Sequence, residues 1–250
     1  MSQKANLIDE EMNIMAHLSE LRSRLIKTAV FFILSFIISF IFAKDIYKFF
    51  ENDIDFVLNI TSPGDTIWIF LTISGLMAIA ATIPVLCYQL WSFAKPGLKR
   101  SEKKVYLSYI PAVFLLFVLG LIFGYFMFIE LILPFLLSLN DGLFHELFTV
   151  DKYFRFMLRA VLPFAIIFEI PVIAMFLTSI GIITPKSMRK MRKYAYFVLL
   201  VVGAFMTPPD IVLQISVAIP LFLLYEISIY ASTFVYRKKL RKHREFMEET

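Results

Sequence analysis

The sequence predicts an all-α integral membrane protein: six transmembrane helices, both termini cytoplasmic, proline-kinked helices around a concave surface, and short fifth and sixth helices. Three observations predict it. Of 250 residues, 59% are hydrophobic and 18% charged, below the roughly 25% charge of an average soluble domain, and the mean hydropathy is +0.76. The hydrophobic residues come in long runs, near the ~20 residues a helix needs to cross a bilayer. The basic residues concentrate on alternate loops. This excludes a disordered chain and a nucleic-acid module, the net charge of +5 being that of loop-anchoring Lys and Arg. Cys87, the single cysteine, excludes a disulfide scaffold.

Residues 1–24 open the chain as a polar segment with Asp9, Glu10 and Glu11, and no signal-peptide cleavage site follows the first apolar run. Ile14, Leu18, Leu21 and Leu25 share one helical face, which predicts an amphipathic interfacial helix running into the first span. The spans are read at 25–43, 67–90, 105–129, 160–183, 194–206 and 211–235, followed by a basic tail at 236–250, the whole chain being one polytopic domain. Twenty of the twenty-five Lys and Arg residues fall in the N-terminal segment, the 91–104 and 184–193 loops and the tail. The positive-inside rule puts those segments in the cytoplasm, in a multi-pass protein of the cell membrane.

On the other face, the 44–66 loop is acidic, and the 130–159 loop holds the turn signal Asn140-Asp141-Gly142 followed by Phe144, Leu147, Phe148 and Phe154, which predicts packing onto the protein or the interface. Pro208-Pro209-Asp210 is too short a connection for anything but adjacent fifth and sixth helices. The fifth span covers ~20 Å of a ~30 Å hydrocarbon core, and extending it back to Met188 would sink Arg189, Lys190, Arg192 and Lys193 into lipid, so local thinning of the bilayer is expected. Pro84, Pro111, Pro163, Pro171 and Pro220 predict kinks or breaks. No internal repeat points to an inverted-repeat transporter.

The usual catalytic motifs, GxxxxGK[ST], HExxH and GxSxG, are absent, and His17, His145 and His243 lie far apart, so no catalytic, cofactor or metal site is expected. Glu169 stands out in the middle of the fourth span. An intramembrane carboxyl is functional by default. It is expected to be protonated at rest, and Pro171 leaves the Ile167 carbonyl without a helical donor that such a group could replace. From the residues alone, Glu20 reads as a helix-surface pair with Arg24, Glu102 as a solvated charge among five bases, and Glu226 as reaching water. Gly120 and Gly124 form a GxxxG read as an intramolecular packing motif. Trp68, Trp91 and Tyr88 sit near span ends as an aromatic belt requires.

Six motifs run in order along the chain: His17-Leu18-x-Glu20-Leu21-Arg22-x-Arg24-Leu25; Pro84-Val85-Leu86-Cys87-Tyr88-Gln89-Leu90-Trp91-x-Phe93-x-x-Pro96-Gly97-Leu98 leading to Glu102; Phe168-Glu169-Ile170-Pro171; Gly181-Ile182-x-Thr184-Pro185; Thr207-Pro208-Pro209-Asp210 with Gln214; and Ala218-Ile219-Pro220 with Leu224-Tyr225-Glu226-Ile227. Together they resemble the TatC family of the twin-arginine protein translocase. The resemblance implies a receptor, not an enzyme, that binds twin-arginine signal peptides of folded cargo. It implies work with single-span TatA-type subunits, and TatB where one exists, in a complex containing more than one copy of the chain and driven by the proton-motive force. It places signal recognition on Glu20 and Glu102, with Arg22 and Phe93 nearby, and partner-helix contacts on Glu169, Thr207 and Gln214. The chemistry fits: an arginine fork makes bidentate bonds to carboxylates that lysine cannot copy. The rival from another class is a proton-coupled secondary transporter or channel using Glu169. An intramembrane protease would need embedded Ser/His, Asp or metal groups that the spans lack.

Overall fold

The computed structural model describes residues 2–54, 56–94, 109–140, 147–208 and 210–248, with side chains described over 19–54, 56–90, 111–140, 147–208 and 210–241. Glu102, Asp141, Gly142, Phe144 and the Phe93 side chain lie outside this set. Ten α-helices and one π-helical segment are described, and no strand is present among the described residues.

α1 (Ser2–Ile41) is one continuous helix, so the polar N-terminal segment and the first span share an axis. It packs on α3 (Asp65–Ala94). The rest of its apolar surface, including Ile33, Leu34 and Ile37, is exposed, a face that lipid covers and water would not tolerate at this size. α2 (Ala43–Glu51) occupies the first part of the expected 44–66 loop. Its acids hide a helical period in the sequence, yet Tyr47 and Phe50 both pack on Phe154.

α4 (Tyr109–Met127) continues through a π segment (Phe128–Ile132) into α5 (Leu133–Ser138). Pro134 has no N–H for the Glu130 carbonyl, and the wider π turn upstream absorbs the lost register. The third helical run therefore reaches well beyond residue 129. α6 (Val150–Ile167) starts ten residues before the expected fourth span. Asp151, Lys152, Arg155 and Arg159 interrupt the apolar run on one face, while Tyr153, Phe154, Met157 and Ala160 are buried on the other. The fourth span breaks near Pro171, as that proline predicts: Phe168 and Glu169 form a turn, and α7 (Ile170–Ile180) follows with Pro171 in its first turn. By contrast, Pro84, Pro163 and Pro220 lie inside continuous helices.

Gly181, at φ 86°, ends α7 in the left-handed conformation glycine favours. α8 (Pro185–Lys190) is capped by the Thr184 hydroxyl, which accepts from the Ser187 N–H at 3.2 Å. α9 (Arg192–Met206) has 15 residues, about 21 Å of rise, so the fifth helix is short as expected. α10 (Ile211–Glu248) has 38 residues, longer than the short sixth helix expected, because span and basic tail form one helix. Among the described residues, five helical stretches are long and apolar enough to cross a membrane: Ser19–Ile41, Asp65–Leu90, Pro111–Ser138, Val150–Ile180 and Ile211–Arg241.

The GxxxG packs inside the chain. A Cβ on Gly120 would lie 2.7 Å from the Ala165 Cα, and one on Gly124 would lie 3.0 Å from the Val161 carbonyl oxygen. Only glycine lets α4 approach α6 this closely. One core joins α3, the π segment and α6 through Ile73, Phe128, Ile132 and Met157. A second joins α6, α9 and α10 through Phe164, Ile167, Met206, Val217 and Leu221.

Candidate functional site

Glu20 lies on α1 where that helix reaches the end of α3. Its carboxylate accepts from the Arg24 guanidinium one turn on. The same guanidinium donates to Gln89 Oε1 of α3 at 3.5 Å, and the Arg24 carbonyl accepts from the Thr28 hydroxyl at 3.0 Å. The Glu20–Arg24 pair read from the sequence is therefore present, and Gln89 joins it to the second helix. The Glu20 side chain keeps 36% of its exposure against 18% for Arg24, so the carboxylate is partly exposed while the arginine is mostly covered. Arg22 is exposed beside it. Phe93 falls in the last turn of α3, one turn past Gln89.

Glu169 is built by a helix break. The Phe168 N–H reaches the Phe164 carbonyl at 2.9 Å and the Glu169 N–H tightens to the Ile166 carbonyl at 3.1 Å. α7 then restarts, its Ile173 N–H bonded to the Glu169 carbonyl at 2.9 Å. The side chain is 2% exposed, and neither carboxyl oxygen has a hydrogen-bond partner among the described residues. It does not bond to the Ile167 carbonyl that Pro171 frees. An ionised carboxylate left so would cost several kcal/mol; the group calls for a proton or an incoming donor.

Thr207 and Gln214 flank the turn between α9 and α10. Thr207 is buried and its hydroxyl donates to the Gly203 carbonyl at 3.1 Å. Asp210 caps α10, its Oδ1 accepting from the Leu213 N–H at 2.8 Å, and the Gln214 N–H bonds to the Asp210 carbonyl at 3.0 Å. The two residues thus stand on either side of one turn. No described hydrogen bond joins either to Glu169, although Ile167 of α6 packs in the same core as Met206 and Val217.

Sequence reasoning missed the links along α10. Thr178 and Ser232 hydroxyls meet at 2.6 Å, the Tyr225 hydroxyl donates to the Met188 carbonyl at 3.0 Å, and Glu226 accepts from Arg192 and Tyr196, each at 2.6 Å. Lys239 donates to the Ser179 carbonyl at 2.8 Å, at the end of α7. Glu226 is paired and not merely solvated. Carbonyl acceptors leave no trace in a sequence, but an i,i+4 pair of Arg192 and Tyr196 facing one Glu would have been a usable signal.

Residues 16–220 match the family model for Sec-independent protein translocase protein (TatC). TatCd of Bacillus subtilis is 45% identical over 93% of this chain and 96% of its own. TatC of Aquifex aeolicus is 37% identical over 91% and 98%. A crystal structure of the twin-arginine translocase receptor TatC superposes with a TM-score of 0.75 at 36% identity, over 88% of this chain and 99% of that one.

Proposed function

The chain belongs to the TatC family of Sec-independent protein translocase proteins, and on that premise we propose that it is the receptor for twin-arginine signal peptides. It delivers folded cargo across the membrane with TatA-type single-span subunits, and TatB where one exists, using the proton-motive force. Its termini face the cytoplasm, where the basic loops and the signal peptide meet. Glu20 and Glu102 hold the arginine pair, with Arg22 and Phe93 beside them. Glu169, Thr207 and Gln214 form the contact for a partner helix, and the complex contains more than one copy of the chain.

The observation that carries this reading is Glu20: a partly open carboxylate oriented by a covered Arg24 that Gln89 ties to α3. It already binds one guanidinium, which is the chemistry a signal arginine needs. Basic neighbours repel cations that are held less accurately. A proton-coupled transporter finds less support, because Glu169 has no titratable hydrogen-bond partner among the described residues to relay to.

The test is a double-mutant cycle on binding of a twin-arginine peptide to the purified protein, pairing Glu20→Gln or Glu102→Gln with an Arg-to-Lys change in the peptide. Each single carboxylate loss should weaken binding by about 1.5–3 kcal/mol, roughly ten- to a hundred-fold. Coupling near zero for both carboxylates, in folded protein, rejects the reading.

A further inference from the structure

We propose that Arg159 and the apolar cleft beside it bind an anionic phospholipid, with the guanidinium on the phosphate and an acyl chain in the cleft. The cleft, of about 420 Å³, lies between α6 and α9 and is walled by Leu158, Leu162, Pro163, Phe205 and Met206, with Arg159 as its one charged residue. Arg159 is exposed, and among the described residues no carboxylate pairs with it. The acid on its own helix is engaged elsewhere, Asp151 taking Arg155 at 2.8 Å. A cation on a lipid-facing wall of Leu, Phe and Met is costly unless an anion or water meets it.

The height of Arg159 identifies that anion. Arg155 lies 5.7 Å from the Trp68 ring centroid, a pairing that belongs at a membrane interface. Arg159 is one turn further along α6, about 6 Å deeper. It lies beside Phe205 and Met206, the end of α9. Arg192 marks the other end of α9, so two arginines bracket an apolar face only about 21 Å tall. A full ~30 Å hydrocarbon core cannot fit between them, and the headgroup region must dip toward Arg159. A lipid phosphate is then the anion at hand, and its tail fills the apolar walls below. The proposal needs only the membrane placement of the chain and stands apart from signal-peptide recognition.

The experiment is native mass spectrometry of the full-length protein titrated with phosphatidylglycerol or phosphatidylcholine of equal chain length. Phosphatidylglycerol should be retained roughly tenfold better, because both lipids offer the phosphate but the choline of phosphatidylcholine sets a second cation against the guanidinium. Arg159→Gln should erase the preference, and Arg159→Lys should keep most of it. A second reading uses Leu162→Trp: dibrominated phosphatidylglycerol should quench its fluorescence more than dibrominated phosphatidylcholine, and Arg159→Gln should equalise the two. Equal retention of both lipids by the unaltered protein overturns the assignment, as does an unchanged preference in Arg159→Gln. Capture of a single-span protein, in place of lipid, by a photo-cross-linker at Leu158, on the α6 wall of the cleft and away from Thr207, in native membranes also overturns it and gives the cleft to a helix.

Discussion

The Glu226 carboxylate of α10 accepts from the Arg192 guanidinium of α9 at 2.6 Å, across 34 residues of sequence. Its other oxygen accepts from the Tyr196 hydroxyl, also at 2.6 Å. Arg192 and Tyr196 are one turn apart, so a single side chain grips two successive positions on the short α9. The Glu226 side chain is 25% exposed and that of Arg192 43%, so solvent screens part of the attraction. Glu226→Ala should cost about 1–2 kcal/mol. Hydrogen exchange should show α9 protection falling while α3 and α4 stay unchanged; an unaffected α9 rejects the clamp.

Gly120→Ala should be among the costliest small substitutions in the chain. Its Cβ would fall 2.7 Å from a backbone atom of α6, which cannot move aside as a side-chain tip would. A loss of about 1–3 kcal/mol is expected from overpacking. Gly75→Ala is the control: its Cβ would make an ordinary 3.8 Å contact with Phe36 and should stabilise by about 0.5–1 kcal/mol through helix propensity. Detergent-phase unfolding of both variants decides; a harmless Gly120→Ala refutes the close approach.

At Glu169, stability and assembly should separate. Replacing a buried, unpartnered carboxyl by an apolar side chain of similar volume removes an unmet polar group, so Glu169→Met should stabilise the isolated protein by roughly 1–3 kcal/mol. Cross-linking to the single-span partner should drop for Glu169→Met and Glu169→Ala and be better kept by Glu169→Gln, which retains hydrogen-bonding atoms. Wild-type cross-linking by the Ala form would make the residue a purely structural one.

Orientation can be read with cysteines at Ser62 and Lys238, both exposed, in a Cys87→Ala background. An impermeant thiol reagent added outside cells should label the first and spare the second. The reverse labelling inverts the orientation derived from the basic residues.

The legible part of this fold was what hydropathy and charge encode directly. The apolar run through Ile73 and Ala78 became α3, and the basic residues before Tyr194 with the prolines after Thr207 bounded α9. Amphipathic segments were illegible to the same reading. α2 and the first ten residues of α6 carry acids and bases on one face, so averaging hides helices whose other faces bury Ala43, Tyr153 and Phe154. At the candidate site, Glu169 announced itself by its depth, while Gln89 did not, because an amide at a span end gains meaning only when Arg24 of another helix arrives. Pro171 signalled a break, but its place at Phe168–Glu169 depends on backbone bonds that reach back to Phe164 and Ile166.

The shortness of α9 also bears on how the chain enters the bilayer during synthesis. Fifteen residues headed by Arg192 and Lys193, with Arg189 and Lys190 just before them, are a weak candidate for independent partitioning into lipid, since each central cation costs about 2.5–3.5 kcal/mol on the insertion scale. The group that would tether its polar end, Glu226, sits on α10 and is made later. α9 and α10 are therefore expected to cross as a pre-formed hairpin, with the Thr207–Asp210 turn as its leading edge. Asp210 travels with its carboxylate already engaged by the Leu213 N–H. A ribosome stalled before residue 226 should leave α9 extractable from the membrane, and one stalled after the end of α10 should not.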